Sequence, residues 1–532
     1  MPVRDRIPLL SAVRRRFHEL APRFIELDCL AKGIARTSPR SGEAGFEGPA
    51  ITLRYLAELE RTLRGERGIE PSAVRVEDGR TKVTALPRDA WERLLFPGLL
   101  AEVWLGEGAS KDPFLDPEEL RPARSEGEIA LVLGAGNVAS ISALDVLQQC
   151  FVHGRVCLLK ASPVNDYIGP LFELAFAPLV ERGAFAIAYG GPDVGAYLTT
   201  HPRIDTIHVT GSYATHETIV WGPPGPERDE RKARREPVTR KPVTSELGNV
   251  SPAIVVPGAW EAADIEHAAK NIVGSHVFNA AFNCNATKLV VTPRGSALRA
   301  RLLAAIEREF SAVPTRRAYY PGAARAYEKH TKGPGRTLEL GTPREGELPW
   351  AFVQGLEPAS DAACFREEPF CSVLSEVALG SDDPAEFLSE ATRFLNDRVF
   401  GTLNAMLLAP ASVERDARAA RALDAAVRDL RYGSVCVNVW PAVAYGLGTL
   451  PWGGHPSGTL ENVGSGLGVG HNALLLRDVE KTVLRAPLAA FPKPLWYPEH
   501  RTLDRVANAF CDFEAERGAL RAAKLAMAAL RG

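Results

Sequence analysis

The strongest constraint on the fold is an alternation of short apolar runs with helical segments between residues 128 and 212. The first unit has the apolar run Ile129–Leu133, a glycine-containing turn at Gly134–Ala139, and then apolar residues at helical spacing. Three further strands are predicted at similar intervals, at 155–159, 185–189 and 206–209. Strands that alternate with helices in this way form a parallel, doubly wound sheet, whose ligands bind at the carboxyl ends of the strands. We therefore predict an α/β fold.

The turn Gly134–Ala139 superficially matches the dinucleotide-binding fingerprint, with Ala139 in the third glycine position. The fingerprint also expects an acidic residue near the end of the next strand to hold the ribose hydroxyls, but Lys160 stands there. Two interpretations stay open from these residues. Either a cofactor with an additional phosphate is preferred, or the turn is a tight connection that holds no pyrophosphate.

Composition excludes several classes of protein. The chain is 45% hydrophobic and 24% charged, as in an ordinary globular protein, and its 532 residues are enough for two or three compact domains. A formal net charge of -2, from 63 basic and 65 acidic residues, gives no global field that favours nucleic acid or an anionic membrane. The spacing of the 8 cysteines matches no zinc motif, which predicts reduced thiols and no metal. Because no apolar run has signal-peptide or membrane-span length, we expect a cytoplasmic protein that acts on a small molecule.

One cysteine lies in a setting that suits a nucleophile. The stretch Phe278–Lys288 places Cys284 among small and amide-bearing residues, after a predicted helix at 268–278 and before a β-rich run at 289–291. A cysteine reacts as the thiolate, whose pKa depends on nearby charges, dipoles and exposure. The alternative is an inert, half-buried cysteine. Motifs elsewhere in the chain favour the nucleophile.

These motifs together resemble the aldehyde dehydrogenase superfamily, in the order of that family, from about residue 128 to about residue 485. They are Leu159–Ser162, Gly183–Ser212, Glu246–Gly248, Phe278–Lys288, Glu367–Phe370, Asn396–Gly401 and Pro451–Gly454. The resemblance implies a Rossmann-type parallel-sheet cofactor domain, an α/β catalytic domain and a small oligomerisation strand region. It also implies NAD or NADP as cofactor and an aldehyde as substrate.

The resemblance assigns catalytic roles to three residues. It implies that Cys284 is the nucleophile, that Glu246 is the general base, and that the Asn137 amide completes an oxyanion hole with the cysteine backbone N–H. On this interpretation the turn around Asn137 is not a pyrophosphate turn. Taken singly, Glu246 could be a surface ion-pair partner and Asn137 a turn former. Their joint occurrence in family order favours the catalytic roles.

The resemblance also implies a set of cofactor-binding residues. It assigns Lys160 to the adenosine ribose, Ser212 to the cofactor phosphates, and Glu368 with Phe370 to the nicotinamide ribose and ring. It also implies that the cofactor comes close to the backbone at Gly195 and Gly211, which have no Cβ. Ser162 belongs to the same motif as Lys160. The complete predicted set is Lys160, Ser162, Gly195, Gly211, Ser212, Glu368 and Phe370, with no metal ligand.

The chemistry of aldehyde oxidation agrees with these roles. A thiolate that attacks the carbonyl forms a tetrahedral centre bearing an oxyanion. Amide donors such as Asn137 stabilise that oxygen by a few kcal/mol each. Loss of hydride to the nicotinamide leaves a thioester on Cys284. A buried carboxylate with a raised pKa, such as Glu246, can deprotonate the water that hydrolyses the thioester.

The chain departs from the family pattern in several places. Ala161 and Pro163 replace the usual proline and acid after the lysine, so a 2′-phosphate would meet less repulsion and NADP is as plausible as NAD. Asn249 stands where the family has a second glycine, and Ala281-Phe282 replaces the usual Gly-Gln. An insert at 222–236 mixes acidic and basic residues, which predicts a solvated loop. A sharper hypothesis makes it an arm that reaches the phosphate side of the cofactor.

Five regions are predicted along the chain. They are a helical N-terminal region packing on the cofactor domain (1–125), the NAD(P)-binding domain (126–247), the catalytic domain (248–455), a return segment with an oligomerisation strand (456–490) and a C-terminal helical extension (491–532). Residues 472–485 resemble the family strand that adds to the sheet of a neighbouring subunit. That similarity implies a homodimer or homotetramer.

Three functions remain open at this point. The first is an NAD(P)-dependent dehydrogenase that forms a carboxylic acid through a Cys284 thioester. The second exchanges the thioester with a thiol such as coenzyme A, or runs in reverse as a fatty acyl reductase, a branch that the Gly136-Asn137-Val138 motif resembles. The third is a catalytically silent binding subunit. Glu246 favours hydrolysis, while loop shapes that no motif fixes determine which aldehyde is used.

Overall fold

The computed structural model describes residues 2–110, 112–117, 120 and 127–532. Its strands are β1 Val74–Glu77, β2 Arg80–Leu86, β3 Leu100–Leu105, β4 Ile129–Leu133, β5 Val156–Lys160, β6 Phe185–Ala188, β7 Thr206–Gly211, β8 Val243–Leu247, β9 Pro252–Val255, β10 Leu289–Pro293, β11 Arg316–Arg317, β12 Arg336–Leu340, β13 Glu347–Leu348, β14 Trp350–Leu356, β15 Val373–Leu379, β16 Asn404–Leu408, β17 Ser434–Val437, β18 Gly466–Leu467 and β19 Val479–Arg485.

The α-helices, in chain order, are α1 Val3–Lys32, α2 Ser41–Gly45, α3 Ile51–Leu63, α4 Ala90–Leu95, α5 Ala139–Leu147, α6 Gly169–Ala175, α7 Ala177–Val180, α8 Pro192–Thr200, α9 Tyr213–Trp221, α10 Pro226–Arg234, α11 Ala262–Val277, α12 Ala297–Ala312, α13 Ala323–Thr331, α14 Ala363–Arg366, α15 Pro384–Arg398, α16 Ala411–Arg415, α17 Ala417–Asp429, α18 Ala442–Gly446, α19 Leu503–Ala515 and α20 Ala519–Leu530. No helix in the described ranges is long and apolar enough to cross a bilayer.

The alternation between 128 and 212 builds the sheet of the cofactor domain. Its strand order is β18-β8-β7-β4-β5-β6, and the pairs from β8 to β6 are parallel. Because β4 lies between β5 and β7, the chain winds first toward one edge and then toward the other. Such an order opens a crevice at the carboxyl ends of β4 and β7. The predicted parallel, doubly wound α/β sheet is confirmed.

A second sheet carries the stretch Phe278–Lys288, which contains Cys284. In the described residues it has the order β1-β2-β3-β19-β17-β16-β9-β10-β15-β14-β12, with parallel pairing from β19 to β14. Helix α11 delivers the chain to the Phe278–Lys288 stretch, and β10 leaves it between β9 and β15. The stretch therefore lies at one end of a buried central strand, which fixes both of its ends.

The N-terminal region is not purely helical, which corrects the prediction for 1–125. It contributes the antiparallel strands β1, β2 and β3 to the second sheet. The hairpin between β1 and β2 turns at Asp78-Gly79, where both residues have positive φ, 52° and 74°. Asp-Gly is a typical sequence for such a two-residue turn, because it tolerates that conformation. The predicted boundary at 125/126 lies outside the described residues.

Strand β19 lies within the segment predicted to join a neighbouring subunit. It pairs in parallel with β17 on one side and antiparallel with β3 on the other, both in the same chain. Both of its edges are therefore hydrogen-bonded internally, which differs from the predicted addition to another subunit's sheet. The alternation Val-Glu-Lys-Thr-Val matches a strand equally well in either arrangement.

The chain termini pack together, and the insert is helical. The C-terminal extension forms α19 and α20, as predicted, and α19 packs against α2 and α3. The predicted solvated loop at 222–236 contains α10, which has acidic residues in its first turn and basic residues in its last. This charge order complements the helix dipole and favours a helix even without a buried face.

Candidate active site

A cavity of about 1420 Å³ opens at the carboxyl ends of β4, β5 and β7 and extends to Cys284 in the stretch Phe278–Lys288. All of the residues predicted from the sequence line this one cavity. They are Asn137, Lys160, Ser162, Gly195, Gly211, Ser212, Glu246, Cys284, Glu368 and Phe370. The two sheets thus bring together side chains that are up to 233 residues apart in sequence, from Asn137 to Phe370.

One wall of the cavity suits the phosphates and ribose of a dinucleotide. Ser212 caps α9, and its hydroxyl accepts a hydrogen bond from the Thr215 N–H at 3.2 Å. The N-terminus of a helix favours anions, because its N–H groups and dipole point toward them. Lys160 ends β5, and its burial lowers the pKa of its ammonium group, while Asp193 and Asp166 oppose that change.

Two glycines on this wall leave room for a ligand. An added Cβ at Gly195 or Gly211 would meet no atom within 4 Å, although both residues line the cavity. Steric conflict inside the protein therefore does not explain glycine at these positions. The two glycines instead leave space for a bound molecule to come close to the backbone, as the resemblance implies for the cofactor.

Cys284 is the least buried of the 8 cysteines; the other seven are fully buried. Its Sγ lies 3.9 Å from Oδ1 of Asn283, and its carbonyl accepts a hydrogen bond from the Ser251 hydroxyl at 2.7 Å. Burial raises the pKa of the thiol well above its usual value, and the charges of Glu246 and Glu368 add to the rise. The Lys288 ammonium lowers it. Formation of the thiolate therefore depends on the positive charge of Lys288, which opposes burial and the two carboxylates.

Asn137 lies beside the cysteine loop, residues 278–284. Its Nδ2 donates to the carbonyl of Phe282 at 3.1 Å, two residues before Cys284. This bond uses one of the two N–H groups of the amide. The side chain is buried, at 6% exposure, so the remaining donor would act in a medium of low dielectric. The turn Gly134–Ala139 thus presents an amide to the cysteine loop.

Glu246 lies on β8 with its carboxylate held by an indole. Nε1 of Trp452 donates to Oε1 of Glu246 at 2.7 Å. Burial raises the pKa of Glu246 to about 7, and the charge of Asp145 contributes to the rise. The Trp452 hydrogen bond and His208 oppose it. A carboxylate with a pKa near 7 can accept and release a proton at neutral pH.

Lys288 is a residue of the site whose role sequence reasoning missed. Its ammonium is fully buried and donates to the carbonyls of Asn283 and Ala286 at 2.7 and 3.2 Å, and to Oε1 of Glu368 at 2.8 Å. It therefore ties the cysteine loop to the residue predicted to hold the nicotinamide ribose. The sequence signal for this role is the position of Lys288, a charged residue directly before an apolar strand and near the predicted site residues.

Close packing fixes Glu368 on its other side. A Cβ on Gly248 would lie 1.7 Å from Oε2 of Glu368, so a side chain there would displace the Glu368 carboxylate. Phe370 follows with a positive φ of 42° and packs against Tyr320 at a ring-centroid distance of 4.8 Å. In the part of the chain that the structure describes, no group of three or more His, Cys, Asp or Glu side chains is arranged to hold a metal.

Comparison with known proteins agrees with this geometry. The model of the aldehyde dehydrogenase family matches residues 133–318, which include β4, the cofactor wall and the cysteine loop. An N-succinylglutamate 5-semialdehyde dehydrogenase from Caulobacter vibrioides is 27% identical over 306 residues, which cover 54% of this chain and 60% of that protein. A betaine aldehyde dehydrogenase from Rhizobium meliloti is 30% identical over 185 residues, or 34% of each chain. The alignments thus span less than two thirds of these curated relatives.

Solved structures extend the similarity to nearly the whole fold. Lactaldehyde dehydrogenase from Escherichia coli matches with a TM-score of 0.58 and 18% identity, over 91% of this chain and 87% of that chain. An aldehyde dehydrogenase from Mycobacterium tuberculosis, complexed with NAD+, matches with a TM-score of 0.59 and 18% identity, over 93% and 87%. The chain thus has the fold of these aldehyde dehydrogenases, and residues 133–318 match the model of their family.

The departures from the family pattern have visible structural roles. Asn249 replaces a glycine and donates to the carbonyl of Asn404 at 2.7 Å, which ties β9 to β16 near the cysteine. Phe282 turns away from the cavity into an aromatic cluster with Tyr319 and Tyr320, at centroid distances of 4.9 and 5.8 Å. It is therefore part of the support of the loop. Phe282 is not among the residues that line the cavity.

The 222–236 insert lies outside the cavity. All of its residues are described, and none of them lines the cavity. Lys232 pairs with Glu217 of α9 at 2.7 Å, which docks the insert on the side of that helix. An arm that contacts the cofactor phosphates is not supported by this position.

Proposed function

We propose that the protein oxidises an aldehyde to a carboxylic acid with NAD or NADP, through a thiohemiacetal and a thioester on Cys284. The observation that carries the proposal is the meeting of Cys284, Asn137 and Glu246 in one cavity that also has the features of a dinucleotide site. A partly exposed thiol, an amide donor and a carboxylate with a pKa near 7 are groups that suit this reaction.

The cofactor would be held along the wall that begins at β5. Lys160 and Ser162 would contact the adenosine ribose, the start of α9 at Ser212 the phosphates, and Glu368 and Phe370 the nicotinamide ribose and ring. The empty space above Gly195 and Gly211 fits a ligand that passes close to the backbone. When bound, a nicotinamide cofactor supplies the acceptor for the hydride lost by the substrate carbon.

In the first half of the reaction the residues of the chain form and stabilise a tetrahedral centre. The Cys284 thiolate donates an electron pair to the aldehyde carbon, and the carbonyl electrons move to the oxygen. The N–H groups of Asn137 and of the Cys284 backbone donate to that oxyanion. Lys288 lowers the pKa of the thiol and so increases the thiolate fraction. After the hydride has left, the carbonyl re-forms and the acyl group is a thioester of Cys284.

In the second half Glu246 acts as the general base. It takes a proton from a water molecule, whose oxygen attacks the thioester carbon. The C–S bond breaks, the acid leaves, and Cys284 is regenerated as the thiolate. Because burial raises the pKa of Glu246 to about 7, the carboxylate returns its proton to solvent near neutral pH.

A test is NAD(P)H formation from a panel of aldehydes, with each oxidised cofactor and with or without coenzyme A, in wild type, Cys284→Ala and Glu246→Gln. The proposal predicts steady turnover without coenzyme A. Turnover should vanish in Cys284→Ala and fall to a single burst in Glu246→Gln, because the thioester forms but is not hydrolysed. Each variant should bind cofactor as wild type does.

The other outcomes identify the alternative functions. Turnover only with coenzyme A would indicate an acylating enzyme, and reduction of an acyl thioester by a reduced cofactor would indicate a fatty acyl reductase. Neither reduction nor cofactor binding under any condition would favour a silent binding subunit. Assembly into a homodimer or homotetramer and a cytoplasmic location stay predictions. Sedimentation of the purified protein tests the first, and fractionation of the cells the second.

A further inference from the structure

The loop before Cys284 has an unfavourable backbone conformation. Asn279, Ala280 and Ala281 have φ values of 54°, 55° and 68°, three consecutive residues in the left-handed region without a glycine. An L-residue in this region costs about 1 to 2 kcal/mol relative to the right-handed one. A run of three persists only when surrounding contacts hold it. The position of Cys284, three residues later, depends on those contacts.

Part of the support comes from within the catalytic domain and from the turn that carries Asn137. Nδ2 of Asn279 donates to the carbonyls of Asn137 and Phe282 at 3.0 and 2.9 Å. Oδ1 of Asn279 accepts from the Tyr319 hydroxyl at 3.0 Å. These bonds satisfy the side chain of Asn279 but leave its backbone N–H to be paired elsewhere.

That pairing comes from the N-terminal segment 41–50, which consists of α2 and a following π-helical turn. Oε2 of Glu43 accepts from the Asn279 backbone N–H at 3.1 Å. Arg316 donates to both carboxylate oxygens of Glu43, at 3.0 and 2.9 Å, and so fixes their direction. Glu43 and Asn279 are both buried. A charge-assisted bond to a buried N–H is among the stronger contacts available to a loop.

A second glutamate of the same segment reaches the residue next to the nucleophile. Oε1 of Glu47 accepts from Nδ2 of Asn283 at 3.2 Å, and Oε2 accepts from the Lys32 ammonium at 3.1 Å. Lys32 also pairs with Asp28 at 2.9 Å. All four side chains are buried, so loss of one partner leaves an uncompensated polar group.

Asn283 links this cluster to the thiol. Its Oδ1 lies 3.9 Å from Sγ of Cys284 and accepts from the Asn285 backbone N–H at 2.9 Å. Glu47 thus sets the orientation of the amide whose other end faces the sulfur. The Asp28 carboxylate accepts in turn from the Tyr167 hydroxyl at 2.7 Å, which connects the cluster to the cofactor domain.

We propose that Glu43 and Glu47 are positioning residues that hold loop 278–284 in its left-handed form and so aim Sγ of Cys284 at the substrate carbon. The N-terminal helices are then part of the active site as well as of the core. This inference rests on the proposed role of Cys284 as nucleophile. Neither glutamate lines the cavity, so neither is a catalytic residue.

The test compares Glu43→Ala, Glu47→Ala, Glu43→Gln and Glu47→Gln in the full-length chain. Glu60→Ala is the matched control, because Glu60 is a buried glutamate of α3 that binds Ser11 and Arg64 and does not contact the loop. Four quantities are measured: kcat, KM, the rate of Cys284 alkylation by iodoacetamide, and the melting temperature. Peptide mass spectrometry assigns the alkylation to Cys284.

In the alanine variants kcat should fall by about 10-fold to 100-fold, because small misplacements of a reacting atom have that effect. Alkylation of Cys284 should become faster, since a released loop exposes the thiol to solvent. The glutamine variants keep an amide oxygen that can accept the Asn279 or Asn283 N–H, so they should recover most of kcat. Glu60→Ala should lower the melting temperature and leave alkylation and kcat at wild-type values.

The proposal is overturned if Glu43→Ala and Glu47→Ala are folded and alkylate at the wild-type rate or more slowly. If an alanine variant does not fold, Glu43→Asp and Glu47→Asp replace it, because their shorter side chains withdraw the acceptor oxygen from the loop. Faster alkylation in the aspartate variants, with wild-type alkylation and kcat in the glutamine variants and in the control, supports the proposal. Wild-type alkylation in the aspartate variants overturns it. Alkylation reports the loop even if no aldehyde is turned over, so failure of the proposed function is distinguishable from failure of this inference.

Discussion

The indole N–H of Trp452 donates a hydrogen bond to Oε1 of Glu246 at 2.7 Å, inside a site where both side chains are buried. The bond stabilises the charged form of the carboxylate, whereas burial destabilises it. Their balance leaves the pKa of Glu246 at about 7, with burial the larger effect. Trp452 thus keeps a deeply buried carboxylate able to ionise near neutral pH.

Trp452→Phe should move the activity profile to higher pH. Without the N–H donor the pKa of Glu246 rises, and because the base is active only when deprotonated, the rising limb of kcat against pH moves up by about 1 pH unit. A hydrogen bond to a charged group contributes about 1.5 to 3 kcal/mol, enough for such a change. Trp350→Phe is the control, since its indole donates to the Val313 carbonyl at 3.2 Å outside the site. An unchanged limb in Trp452→Phe would contradict the proposed role of Glu246.

Lys288→Met should separate thiol activation from folding. The ammonium lowers the pKa of Cys284, so its removal should move the pH profile of Cys284 alkylation to higher pH. Breaking its buried pair with Glu368 should also cost about 3 to 5 kcal/mol of unfolding free energy, measured by denaturant titration.

Lys481→Met provides the matched control for this experiment. Lys481 is equally buried and donates to the carbonyls of Arg428 and Leu430, both at 2.7 Å, at the end of α17. Its loss should destabilise the fold but leave the alkylation profile in place. If both variants shift the profile alike, the effect of Lys288 is merely structural.

Local patterns in the sequence predict the cofactor sheet well. The strand β4 has the predicted limits, and the glycine turn and helix after it lie where the apolar spacing indicates. Asp78-Gly79 shows how a short-range signal can be missed. The dipeptide between two runs of alternating residues predicts a hairpin, whereas the helical spacing elsewhere in residues 1–125 predicts only helices.

Long-range relationships were not predictable in the same way. A pattern that alternates along β19 predicts a strand, but it does not reveal whether β17 or another subunit supplies its partner. The contacts of Glu43 with Asn279 join residues 236 apart, and nothing in either local sequence indicates the other. The site residues could be assigned because the family motifs carry them. Glu43 and Glu47, which support the cysteine loop, lie outside those motifs.

Basic residues of α10 should be dispensable for cofactor binding. Replacing Arg228, Arg231 and Arg234 by glutamine should leave the Kd of NAD and NADP within about twofold, because the insert lies outside the cavity. Lys160→Ala is the comparison that should weaken binding. A loss of affinity in the triple variant that grows weaker with added salt would instead support an arm that contacts the cofactor phosphates.

Gly195→Ala should weaken cofactor binding while leaving the fold intact. Gly195 lies within α8, where alanine favours the helix by about 0.5 to 1 kcal/mol, and its new Cβ meets no protein atom. The melting temperature should therefore hold or rise. If the cofactor passes over this residue, the methyl group should raise its Kd by about tenfold, equivalent to about 1.4 kcal/mol. Gly333→Ala, which also meets no atom and does not line the cavity, should leave the Kd unchanged. Equal affinity in Gly195→Ala and wild type, measured by calorimetry, would show that the bound cofactor lies elsewhere in the cavity.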